Sequence, residues 1–250
     1  MEHEILDVIL KTGGTLASGA VRGALFRIFR HVILNQPDHV IERVFNSFSS
    51  AQEYNDKKLQ CGETLRGDWY YDNDNHVKFA EDMVRQTISD TQGKKSEYIT
   101  KFHVNIRFSS NDDIDEHTAF SYLEVIESLS WRQLCIIRLA ILYENQEVNS
   151  DSVPNEEYLK QMPQDEQTRF YSIGREFQKL MDDHYIQSVG MLIDENTNDP
   201  FWEHPIFLTV PAYTRRLHSL MNLHEIPDEE IVQTFSPWNV RLKKTEEDSR

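Results

Sequence analysis

Residues 134–142 read Leu-Cys-Ile-Ile-Arg-Leu-Ala-Ile-Leu, apolar on every side of a helical projection apart from one arginine. A helix with so little polar face has to run through a core rather than over a surface. Ser130 and Gln133, just before it, have the Ser-x-x-Gln spacing of a capping box, which satisfies two backbone donors at a helix start. The chain must therefore supply other apolar faces to surround this element. With 250 residues, 39% of them hydrophobic and 27% charged, it can build one sizeable core or two modest ones.

Helical periodicity supplies those faces. Asn35-Gln36-Pro37-Asp38 reads as a helix start, with proline in the first turn where its missing N–H is not needed. Val40, Ile41, Val44, Phe45 and Phe48 form the buried side that follows. Residues 49–75 are polar and read as an extended surface connection, with room for a short helix over 51–59 and with Trp69, Tyr70 and Tyr71 as packing anchors. From 76 to 108 the period returns. Val77, Ala80, Val84 and Ile88 make one stripe, Tyr98, Ile99, Phe102 and Ile106 another, and Gly93 marks a bend or break between them. The acidic run 111–116 lacks the central glycine and terminal glutamate of an EF-hand loop. It reads as the cap of a helix over 115–129, where carboxylates meet the positive helix end.

Beyond the apolar helix, the pattern predicts a short helix over 151–162 and a longer one over 165–186 that buries Phe170, Ile173, Phe177, Leu180 and Met181. Val189–Ile193 and Ile206–Val210, joined by a polar tip, read as a hairpin. Pro211 opens a last long helix, a short capped one follows at 226–231, and Trp238 is an aromatic anchor. Three helices, a hairpin and a closing helix resemble a winged-helix domain. Leu208-Thr209-Val210-Pro211-Ala212-Tyr213-Thr214-Arg215-Arg216-Leu217 is similar to the strand-to-helix junction of that class, although Ala212 stands where its glycine would be. The expected fold is mainly α: a helical region over 1–128, a winged-helix-like α+β region over 129–238 and a polar tail over 239–250. The 115–142 region also resembles helical bacterial proteins of uncharacterised function, some linked with phage defence or abortive infection. That resemblance implies an effector or signalling partner and transfers no catalytic residues.

Charge narrows the function classes. Lys and Arg number 26 against 42 Asp and Glu, a net of -16. A protein that neutralises phosphate backbones needs a basic face, and here it would have to collect one against the average field. The third helix and wing tip of the winged-helix reading are themselves rich in acids, so nucleic acid is not an expected partner. The run 16–33 departs from this trend, with Arg22, Arg27 and Arg30 and no acid. It reads as a contact helix in which Gly19 and Gly23 permit close approach and Phe26 and Arg27 contribute to an interface. Its arginines argue against an uninterrupted bilayer span, while its mixture of Arg with Leu and Phe suits an interfacial helix.

No nucleophile elbow, zinc helix or P-loop ending occurs, and Glu124 with Glu127 reads as solvent-facing charge rather than an acid/base pair. Cys61 and Cys135 form no Cys-x-x-Cys pair. No catalytic residue, metal ligand or cofactor is expected. The acidic, non-leader-like N-terminus points to the cytoplasm. The leading expectation is a non-catalytic interaction or assembly component, with a protein partner or homo-oligomer, in a bacterial defence or stress context. The alternatives are a membrane-engaging effector acting through 16–34, an acidic winged-helix transcriptional regulator, and an enzyme whose site is assembled from distant segments.

Overall fold

A computed structural model describes residues 36–67, 73–90, 93–148, 160–188 and 208–243. The chain divides into two compact units, Met1–Trp131 with Leu220–Asn222 and Arg132–Ser219 with Leu223–Arg250.

In the first unit, α1 (Asp38–Gln60) begins behind Pro37 and buries Val40, Val44, Phe48 and Ala51, one side of a helix at three- and four-residue spacing. It is a single helix of 23 residues, so the connection expected from 49 onward starts only after Gln60. No glycine or proline interrupts 49–60, and Ala51 continues the apolar stripe, so nothing stops the helix until Gly62, whose φ of 85° L side chains rarely adopt. The aromatic triplet 69–71 lies outside the described residues. Next, α2 (Asn73–Ser89) and α3 (Lys94–Ile106) are separated at Gly93, which has φ 75°. The expected break is therefore real. α3 is buried on nearly all sides: besides Tyr98, Ile99, Phe102 and Ile106, the core holds Ser96, Thr100, His103 and Asn105. It packs against both α1 and α2. α4 (Glu116–Ser128) starts as its acidic cap requires, with the Asp115 carboxylate accepting from the Thr118 amide at 2.7 Å.

The second unit is built around α5 (Trp131–Glu144). Leu134, Cys135, Ile136, Ile137, Leu139 and Ala140 are completely buried, as the all-round apolar pattern demands. α6 (Gln164–Asp182) places Phe170, Ile173, Phe177 and Leu180 inward. Trp238 is the expected anchor: its indole stacks 4.9 Å from Phe177 and its Nε1 donates to the Phe170 carbonyl at 3.2 Å. α7 (Ala212–Leu220), a 3-10 turn at Leu223–Glu225 and α8 (Asp228–Thr234) complete the described residues of this unit's helical framework.

The winged-helix expectation is overturned. Among the described residues the sheet consists of β1 (Gln187–Ser188) and β2 (Leu208–Thr209), two residues each, paired antiparallel. A wing needs a hairpin with several rungs, and a two-residue pair only ties the ends of a connection together. β-prone residues at 206–210 carried the expectation, but strand propensity is fulfilled only where a neighbouring strand and a face to pack on are available. The fold is mainly α, and the resemblance to winged-helix proteins, with the regulator it implied, is withdrawn. Most of the helix expected over 151–162 and the hairpin tip lie outside the described residues.

Membrane contact is corrected as well. Among the described residues no helix is long and apolar enough to cross a membrane. The two requirements fall on different helices. α1 has the length but a polar side, and α5 has the hydrophobicity but only 14 residues, where a span needs about 20. The run 16–34, with Gly19, Gly23, Phe26 and Arg27, lies outside the described residues, so the interfacial expectation has no structural support.

Candidate functional site

The polar side of α1 opposite its buried stripe carries His39, Glu42, Arg43, Asn46 and Ser50, spaced so that they share one face over about three turns. Together with Ser47, and with Gly93 and Glu97 at the start of α3, they line a cleft of about 340 Å³ within the first unit. Positive φ at Gly93 turns the chain sharply into α3. A Cβ there would come 3.0 Å from Arg43 Cδ, so the missing side chain gives the arginine stem room to cross.

Arg43 is held as well as admitted. Its Nη2 donates to the Ile88 carbonyl, in the last turn of α2, at 3.0 Å. That bond satisfies a helix-end acceptor and fixes the guanidinium plane. Its Nε is buried with no hydrogen-bond partner. Two carboxylates share the cleft: Glu42 is exposed, and Glu97 accepts from Lys101 Nζ at 2.6 Å one helical turn on. The lining thus brings Arg43 and Glu42 from α1 into one cleft with Glu97 from α3.

Among the described residues, neither the Ser47 nor the Ser50 hydroxyl is hydrogen-bonded to His39. No group of three or more metal-ligating side chains occurs among the described residues. His103 is buried while His117, Asp112 and Asp113 are exposed. Glu124 and Glu127 both face solvent on α4, as expected. Cys61 is exposed and Cys135 buried, and both are free thiols.

Sequence reading missed this cleft, although half of its signal was present. The spacing 39, 42, 43, 46, 50 is as periodic as the apolar stripe it opposes, but polar periodicity alone describes any solvated helix side. Gly93 and Glu97, which close the site, come from more than 40 residues away. No family model, curated protein or solved structure matches the chain. The likeness of residues 115–142 to defence-linked bacterial proteins therefore has no matched family from which a role could be transferred.

Proposed function

We propose that this chain is a non-catalytic, cytoplasmic interaction component, and that the α1 cleft docks a short basic segment of a partner protein. The observation that carries the reading is the cleft lining, where exposed Glu42 stands next to an Arg43 already held by the Ile88 carbonyl. A lysine or arginine side chain of the partner pairs with the Glu42 carboxylate. The overall charge of -16 supports the same partner sign, because it speeds encounter with basic segments and repels acidic ones.

Fluorescence anisotropy with short labelled peptides tests this. Lysine-centred peptides bind the full chain, and their glutamate-centred counterparts do not. Glu42→Lys, an exposed change that leaves the helix intact, weakens binding roughly tenfold, about 1.4 kcal/mol. Equal binding of both peptide sets, or unchanged affinity in Glu42→Lys, removes the cleft from its assigned role.

A further inference from the structure

In the second unit, α5, α7 and the turn before α8 bring Arg138, His218 and His224 together. The His218 and His224 rings lie 6.2 Å apart at 47°. His218 is only 9% exposed, whereas His224 and Asp228 are exposed, so the cluster is deep at one end and open at the other. Arg138 is held loosely: its Nη2 lies 3.8 Å from Asp228 Oδ1, and Asp228 is 60% exposed. Two buried atoms of the cluster, Arg138 Nε and His218 Nε2, have no hydrogen-bond partner among the described residues. Buried polar atoms are ordinarily paired, so both hold hydrogen-bonding capacity that a bound ligand can use.

We propose that Arg138, His218 and His224 form a binding site for a phosphoryl group, carried by a small phosphate monoester or by free phosphate. The guanidinium Nε and Nη2 present a planar fork suited to two oxygens of one anion. Each imidazole can add a proton and a third or fourth donor. An arginine and two protonatable histidines, beside the exposed Asp228 carboxylate, match a dianion better than a singly charged carboxylate. Burial, then Arg138 and His224, hold the empty His218 down to about 4. A bound dianion reverses the sign of that local field and draws a proton onto the ring. The site lies in the other unit from the α1 cleft and stands independently of the peptide-docking reading.

The test is an NMR titration of the histidine ring signals of the full chain with inorganic phosphate, against sodium chloride of equal ionic strength and against acetate. At about pH 7.5, where phosphate is largely the dianion, the His218 and His224 ring signals shift saturably with phosphate, and acetate moves them far less. Arg138→Met loses phosphate binding at least tenfold. Asp228→Asn, a surface change that removes the competing carboxylate, tightens it about threefold. If Arg138→Met does not fold, the wild-type chloride comparison and Asp228→Asn still decide. His218 and His224 ring signals that move no further in phosphate than in chloride overturn the proposal, as does acetate binding as tightly as phosphate or an Asp228→Asn variant that binds no better.

Discussion

Arg66 directs its guanidinium at four backbone carbonyls. Nη1 donates to the carbonyls of Ile106 and Asn111 at 3.3 and 3.1 Å, and Nη2 to those of Asp112 and Ile114 at 3.5 and 2.8 Å. The side chain thereby ties together acceptors of the end of α3 and the following turn. Arg66→Met keeps the volume and removes these four hydrogen bonds, and it is expected to lower unfolding free energy by about 3 kcal/mol in urea denaturation. Lysine should not rescue it, because a point charge cannot reach four oxygens with one fork. Nothing near Arg66 in the sequence marks this role. Its partners lie 40 to 48 residues away, and the local stretch reads as an ordinary polar loop. The same blindness applies to Lys95, whose Nζ donates to the carbonyls of Glu127 and Leu129 at the end of α4. Burial holds its ammonium down to about 8 against the pull of Asp90 and Glu127. The unfolded chain keeps that proton to about 10.5, so between pH 8 and 10.5 unfolding takes up a proton and Lys95 contributes rising stability with pH. His218 acts in the same sense at lower pH. Its folded value of about 4 lies below the unfolded one near 6.5, so stability is lost as pH falls from 6.5 toward 4. His218→Gln should flatten that limb of a stability-against-pH curve measured by urea unfolding.

At the scale of elements, hydrophobic pattern succeeded where one element buries its own face. α5 is apolar nearly all round and buries residues 134–137, Leu139 and Ala140 completely, and Asp115 caps α4 from within the local sequence. Asp115→Ala removes the cap bond to the Thr118 amide and should lower the midpoint temperature of thermal unfolding. Gly93 was legible as a break because no other residue type adopts its φ so cheaply. Gly93→Ala adds both a strained backbone and a contact 3.0 Å from Arg43 Cδ. It should destabilise by about 1–2 kcal/mol and loosen the Arg43 bond to Ile88, so peptide affinity falls along with stability. Pattern failed where the outcome depended on what lay opposite. Residues 49–59 are polar enough for a loop, but α1 continues through them because its buried side finds α3. Residues 206–210 are apolar enough for a strand, yet among the described residues Leu208 and Thr209 alone of that run pair.

For the whole molecule, mainly α content was readable from periodicity, while the α+β half was not, because strand pairing is a long-range property that short β-prone runs do not encode. The proposed function class rests on surface chemistry: net acidity and a cleft lined by Arg43, Glu42 and Glu97. Those features support selective binding of a basic segment, and the cleft residues come from helices whose own positions the sequence indicated. Their meeting was not indicated, since it depends on the approach of α1 to the start of α3. The most direct measurement is a heteronuclear NMR titration of the labelled full chain with an unlabelled lysine-centred peptide. Docking at the cleft requires saturable shifts concentrated at the amides of Glu42, Arg43, Asn46 and Gly93, and their loss in Glu42→Lys. Shifts centred elsewhere, or none at millimolar peptide, would contradict it.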